Sequence, residues 1–202
     1  MFRGNAPARI DEKGRLKVPT TFKSLLEGKY GRELFLTSLT GEYVRIYPMP
    51  VWLELEQKLS EVPSTNPSKL RFLDRVNYYG SVGELDTQGR VLIPVRLREA
   101  ATMIGDVDVL GQFSYLDVWN HDRFLSKLQR EPFTDDDARA LTKALLDSGR
   151  QAARTEDELR QVERLKYFTL AVSWRLLGAE QLAADLEAAM LDIQDAAKAV
   201  ER

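Results

Sequence analysis

Asp11-Glu12-Lys13-Gly14-Arg15-Leu16-Lys17-Val18-Pro19 returns 75 residues later as Asp86-Thr87-Gln88-Gly89-Arg90-Val91-Leu92-Ile93-Pro94. Asp, Gly, Arg and Pro keep their spacing, and Ile10, Leu16 and Val18 find apolar counterparts in Leu85, Val91 and Ile93. With each of the four residue types at roughly one in twenty, a given quartet recurs by chance at a frequency on the order of 10⁻⁵. The chain is internally duplicated. Within one copy, Asp-x-x-Gly reads as a tight turn. Asp accepts a nearby backbone N–H at the first position, and Gly tolerates positive φ at the fourth. An apolar strand follows and stops at Pro, which has no N–H to give a ladder. Asp11, Gly14, Asp86 and Gly89 are therefore turn formers, and Arg15 and Arg90 stand just past each turn. Such an Arg has two uses. It can pair with the turn's own carboxylate, or it can present a planar five-donor fork to a phosphate or a guanine edge. Recurrence in both copies favours the second use.

Met1-Phe2-Arg3-Gly4, then Asp11-x-x-Gly-Arg15-x-x-x-Pro19, then Asp86-x-x-Gly-Arg90-x-x-Ile93-Pro94, resembles the bacterial MraZ family, one of the AbrB-like swapped-hairpin DNA-binding folds. The likeness covers about residues 1–130. It implies an α+β fold in which two tandem AbrB-like repeats, related by a pseudo-two-fold, form a small β-barrel-like core with short helices. One chain then plays the part of an AbrB-like dimer, since each copy alone is too small to bury much core. The resemblance further implies a sequence-specific transcriptional regulator of the division and cell-wall gene cluster, its own gene included. Such a protein binds repeated elements of double-stranded promoter DNA and self-associates into a ring. The candidate DNA-binding residues are Arg15, Lys13 and Lys17 at the first turn, Arg90 at the second, and Arg3 in the N-terminal basic stretch. Gln88 replaces Lys13 and Leu92 replaces Lys17 in the second copy, so the two copies are expected to contribute unequally.

The 202 residues are 44% hydrophobic and 30% charged, ordinary values for a globular chain. The sequence has no Cys, which excludes disulfides, thiolate metal sites and Cys nucleophiles. It also has no apolar run approaching the ~18 residues of a membrane span and no apolar leader, so the expectation is a cytoplasmic protein with no membrane partner, and the family resemblance implies that it associates with the nucleoid. The net charge of −2 hides an uneven distribution. Residues 1–32 hold eight Lys/Arg against three Asp/Glu, whereas residues 134–202 hold ten against fourteen. A local basic patch is the electrostatic footprint of nucleic-acid binding, and only the N-terminal end supplies it.

Four segments follow: a first repeat over 1–62, a linker over 63–75, a second repeat over 76–130 and a helical extension over 134–202. In the first repeat, Ala8–Ile10 and Arg15–Val18 flank the turn as strands. A short helix over Thr21–Leu26 closes near Gly28, and Glu33–Ser38 and Glu42–Tyr47 form a hairpin ahead of a helix carrying Trp52, Leu53, Leu55 and Leu59. The second repeat repeats the plan with a helix over Val95–Ala101, strands Val107–Leu110 and Tyr115–Trp119, and a helix over Asp122–Leu128. In the tail, Thr134 with Asp137 and Thr155 with Glu158 read as N-caps, and Gly149 and Gly178 as helix stops. A third helix, Ala179–Val200, carries Leu182, Leu186, Met190, Ile193 and Ala197 on one face, which must pack on the tail's own helices, on the repeats, or on another chain or protein partner.

No enzyme is legible. There is no Walker loop, G-x-S-x-G or H-E-x-x-H, no cofactor motif and no metal-ligand cluster. His121, the single His, reads as a solvated or helix-capping residue. Asp11, Glu12 and Asp86 read as structural, and Tyr47, Trp52, Trp119 and Phe124 as core where hairpin meets helix. The alternative to a regulator is an antitoxin-like protein-interaction module working through its helical tail. Salt-dependent retention on DNA separates the two.

Overall fold

The structure is a computed structural model that describes residues 1–152. Residues Met1–Arg130 form one compact unit, and a second unit begins at Glu131. The first unit is α+β. Its strands are β1 (Phe2–Ile10), β2 (Arg15–Lys17), β3 (Glu33–Thr37), β4 (Val44–Pro48), β5 (Ser81–Glu84), β6 (Arg90–Leu92), β7 (Gly105–Phe113) and β8 (Tyr115–Asn120). They build one antiparallel sheet in the order β5-β3-β4-β8-β7-β1-β2-β6. The two end strands, β5 and β6, are consecutive in the chain, and across their turn Asp86 N–H donates to Arg90 O at 2.8 Å. The sheet is thereby a nearly closed barrel.

The pairings interleave the two copies. β1 of the first copy lies along nine residues of β7, from Phe2 opposite Phe113 to Ile10 opposite Gly105. β5 of the second copy lies against β3, with Glu33 opposite Glu84. Two further pairs join equivalent strands: β2 with β6, centred on Leu16 opposite Val91, and β4 with β8, centred on Arg45 opposite Asp117. Inside the barrel, Phe2, Leu16, Leu26, Leu34, Leu36, Val44, Ile46, Leu85, Val91, Ile93, Leu97, Leu116 and Val118 form one core drawn from both copies. Neither copy could close this core alone.

Helices α1 (Thr20–Leu25) and α4 (Val95–Ala100) follow the two repeated motifs at the same offset and plug the barrel with Phe22 and Leu97. After α1 the chain does not stop at Gly28 as the sequence suggests. It continues through a single π turn, Leu26–Tyr30, and ends at Gly31, whose φ of 89° only Gly adopts readily. Outside the barrel, α2 (Met49–Ser60) lays Trp52 on Phe35, with ring centroids 4.1 Å apart. The stretch read as a linker holds most of α3 (Pro67–Tyr79), with Asn66 accepting from Ser68 and Lys69 N–H and Pro67 at the first turn. Val76, Phe72 and Leu73 of α3 join Phe35, Tyr47 and Trp52 in a second, smaller cluster. On β8, Trp119 stacks on Tyr43 at 4.9 Å and meets Phe124 of α5 (His121–Arg130) at 5.6 Å.

In the second unit, α6 (Asp135–Ala152) opens on the expected capping box: Thr134 N–H donates to Asp137 Oδ2 at 2.9 Å, and Asp137 N–H to Thr134 Oγ1 at 3.3 Å. The helix runs through Gly149, which does not stop it. The Thr155–Glu158 cap, the Gly178 stop and the Leu182–Ala197 face lie outside the described residues. Among the described residues, no helix is long and apolar enough to cross a membrane.

Candidate nucleic-acid interface

Each repeated motif folds the same way. Asp11 accepts from Lys13 N–H at 3.0 Å and Arg15 N–H at 2.8 Å through Oδ1, and Gly14 N–H donates to Asp11 O at 2.8 Å. Asp86 does the same for Gln88 and Arg90, both at 2.9 Å, and Gly89 N–H reaches Asp86 O at 2.9 Å. Gly14 and Gly89 take φ of 77° and 73°, the left-handed conformation that closes the turn. The turns also brace each other, for Ile93 N–H donates to Gly14 O at 2.9 Å and Val18 N–H to Gly89 O at 3.0 Å.

The carboxylates hold the arginines as well. Arg15 Nε donates to Asp11 Oδ2 at 2.7 Å, and Arg90 Nε to Asp86 Oδ2 at 2.7 Å. Of the two uses open to these arginines, the ion pair is therefore made, and each guanidinium is aimed by its own turn. The cost of ionising each carboxylate falls accordingly. The Arg15 side-chain bond holds Asp11 below the usual carboxylate range, and the Arg90 backbone N–H does most to hold Asp86 there. An Asp-braced guanidinium keeps donors free for a second acceptor, since one carboxylate oxygen does not satisfy five N–H groups.

Because Leu16 and Val91 are fully buried, alternation puts Arg15, Lys17, Arg90 and Leu92 on the outer face of the β2–β6 ribbon. Lys17 lies directly opposite Arg90 and Arg15 opposite Leu92. Lys13 at the turn and Lys17 on the strand are exposed. The fold thus gathers Lys13, Arg15, Lys17 and Arg90 of the five predicted residues. Arg3 is not with them. It is exposed opposite Gln112, seven positions up β1 from Ile10, or about 23 Å at ~3.3 Å per residue.

Two cations escaped the sequence reading. Arg98 of α4 lies against Gly14, and Lys23 of α1 lies against Gly89, where a Cβ would come within 2.6 Å of its Cδ. Each helix cation covers the turn of the other copy. Only the shared spacing of Pro19 to Lys23 and Pro94 to Arg98 hints at this, and the crossing itself follows from strand pairing. Arg98 joins Arg9, Lys13, Arg15, Asp11 and Glu12 around an open cleft of about 730 Å³. Among the described residues, no three His, Asp or Glu side chains are placed to hold a metal ion. His121 opens α5 with Nδ1 2.8 Å from Asp108 Oδ2.

The first unit is thus an α+β protein whose nearly closed antiparallel barrel sets cations on two paired turns. The family model described as "MraZ protein, putative antitoxin-like" matches residues 1–75 and 82–144. The chain belongs to the MraZ family. It is 52% identical over 141 residues to the "Transcriptional regulator MraZ" of Acidobacterium capsulatum, covering 70% of this chain and 97% of that one. The protein of the same name from Koribacter versatilis is 48% identical over 143 residues, again 70% and 97% of the two chains. That of Pseudoalteromonas atlantica is 33% identical over 139 residues, 68% and 91%.

Proposed function

We propose that this protein is a sequence-specific DNA-binding transcriptional regulator, with no catalytic activity, that acts in the cytoplasm at the promoter of a division and cell-wall gene cluster including its own gene. The observation that carries the reading is the β2–β6 ribbon, which has Arg15, Lys17 and Arg90 on its outer face, with the exposed Lys13 in the turn that leads into it. A two-stranded ribbon fits the major groove, where an arginine fork matches guanine O6 and N7, while lysines position the protein on phosphates. Relatives named as transcriptional regulators support it. The duplicated halves are AbrB-like repeats about a pseudo-two-fold, which the paired turns and the self-facing β2–β6 and β4–β8 registers favour.

One ribbon is a small reading surface, and small modules seldom bind tightly alone. Self-association into a ring that engages repeated operator elements raises the effective concentration without any new contact type. Footprinting the whole chain on DNA upstream of its own gene is expected to protect repeated elements. Shifting their spacing by half a helical turn is expected to abolish tight binding. No protected site, or tolerance of the shift, defeats this reading. The second reading, an antitoxin-like module that binds a basic protein partner, is favoured by the family's description and by the acidic excess of residues 134–202. Salt-independent behaviour on DNA would select it.

A further inference from the structure

The first turn is covered by a cation that its own copy does not supply. Arg98 is carried by α4, whose start is fixed by the second motif's Pro94 through Arg98 N–H to Pro94 O at 2.9 Å. Its side chain crosses Gly14, and a Cβ there would strike the guanidinium. Its Nε is buried and has no hydrogen-bond partner among the described residues. A buried donor left unpaired is unfavourable, and the same side chain is among those that line the open cleft beside the turn. The neighbouring carboxylates do not provide it: no ion pair joins Arg98 to Asp11 or Glu12, and Asp11 spends both oxygens on Lys13, Arg15 and the Arg15 guanidinium. Lys23, the counterpart over the second turn, differs in being paired with Glu27 at 3.8 Å. Arg98 and the exposed Lys13 line the same open cleft with Arg9 and Arg15, four cations against the carboxylates of Asp11 and Glu12, and of the four Arg9 lies 3.8 Å from Asp106 and Arg15 is held by Asp11.

We infer that Arg98 is a phosphate-contact residue, completing with Lys13 and Arg15 a backbone-binding seat built from both copies of the repeat. This rests on the DNA reading above and deepens it: the second copy would serve the first turn's site even if its own turn reads no base. An arginine fork pairs with two phosphate oxygens at once, which suits a donor-rich group beside a turn that holds the duplex. The test is the salt dependence of binding by the full chain to a random-sequence duplex, where phosphate contacts act without base readout. Arg98→Met keeps the stem and removes the charge, and it is expected to lower the slope of log K against log salt by about one, as Lys13→Ala does. Arg98→Lys is expected to retain the slope. An unchanged slope for Arg98→Met beside a lowered slope for Lys13→Ala overturns the inference and leaves the DNA reading standing. Equal losses for the Met and Lys variants with a depressed melting temperature assign Arg98 a structural role and overturn it too. If the unaltered chain shows no salt-dependent binding, the DNA reading falls first.

Discussion

The two turns share a backbone but not a surface. Their hydrogen bonds to the Asp side-chain oxygens from the backbone and the Arg guanidinium agree to within about 0.1 Å. Yet the first presents Lys13 and Lys17 where the second presents Gln88 and Leu92, and Leu92 is 57% exposed. Asp and Gly make the turn and brace the other copy, so the fold holds them fixed. The side chains between them face solvent and are free to follow function. Positions where a strand meets its own equivalent go further. In a symmetric dimer of one repeat the residue there would face itself, and a charge would face its like. Here Arg45 faces Asp117. Fusing the copies into one chain turns a forced repulsion into an ion pair.

The largest effect is expected at that pair. Arg45 Nε and Nη2 donate to the two oxygens of Asp117 at 2.7 and 2.8 Å, and the Asp117 side chain is only 7% exposed. Tyr115 and Tyr43 rings lie 4.2 and 5.2 Å from the guanidinium carbon. Burial works against the Arg45 charge, but the Asp117 hydrogen bonds and charge outweigh it and raise its pKa. Asp117→Ala strands a half-buried cation and is expected to cost about 3 kcal/mol in denaturant unfolding. The swap Arg45→Asp with Asp117→Arg restores the pairing across the same register and is expected to recover most of that loss. A swap no better than the single variant would mean that the two sides are not interchangeable.

Next in size is the functional difference between the turns. Arg15→Ala is expected to weaken operator binding by about 1–3 kcal/mol for each engaged site. Arg90→Ala is expected to cost less, because the second turn has Gln88 and Leu92 where the first has Lys13 and Lys17, the residues proposed to meet phosphates. Both variants are measured by titration against the footprinted element. Equal losses would make the copies equal readers despite their unequal charge.

How much of this was legible follows from how local each feature is. The duplicated turns, the α1 and α4 helices after each Pro, and the Trp52 and Trp119 cores are written within a few consecutive residues. Helix α3 was hidden because Pro63 to Pro67 reads as a linker, although Asn66-Pro67 is a helix start, and its apolar stripe at Phe72, Leu73 and Val76 is short. Arg98 was missed for a different reason. Its place over Gly14 arises from the β2–β6 pairing between residues 75 apart, which no local pattern records. Arg3 shares the N-terminal basic stretch in sequence but is carried away by nine residues of extended strand.

Smaller, and equal in the two halves, is the cost of denying each turn its glycine. Gly14→Ala and Gly89→Ala each force a side chain into the left-handed region, at about 1–2 kcal/mol. The atoms that a new Cβ meets belong to the flexible ends of Arg98 and Lys23, which can move aside, so strain and not collision sets the figure. Chemical denaturation should give matching values. A difference of more than about 1 kcal/mol would show that the two turns are not backbone equivalents, on the ordinary scale of such substitutions.

The smallest effect separates the halves by pH. Where β4 hands over to α2 the first copy has Met49, and where β8 hands over to α5 the second has His121. Asp108, buried between the His121 ring and the Asn5 amide, accepts from Asn5 Nδ2 at 2.9 Å and lies 2.8 Å from His121 Nδ1. That hydrogen bond first, and the Asp108 charge second, raise the His121 pKa, with Asp122 and Asp106 adding to it. A raised pKa means that the folded state binds the proton more tightly than the unfolded chain. The contribution is therefore fully present below the unfolded value of about 6.5 and is lost as pH rises through the folded value. Asp11 and Asp86 act in the opposite sense: their lowered pKa values contribute above about 3.9 and fade as acid protonates them. Stability measured across pH should thus show an acid limb shared by both turns and a neutral limb belonging to the second half alone. His121→Met, which copies the first half's residue, is expected to flatten the neutral limb and leave the acid limb intact. Asp11→Asn and Asp86→Asn should each trim the acid limb by similar amounts. A neutral limb that survives His121→Met would place its origin outside the Asp108 contact and remove this difference between the halves.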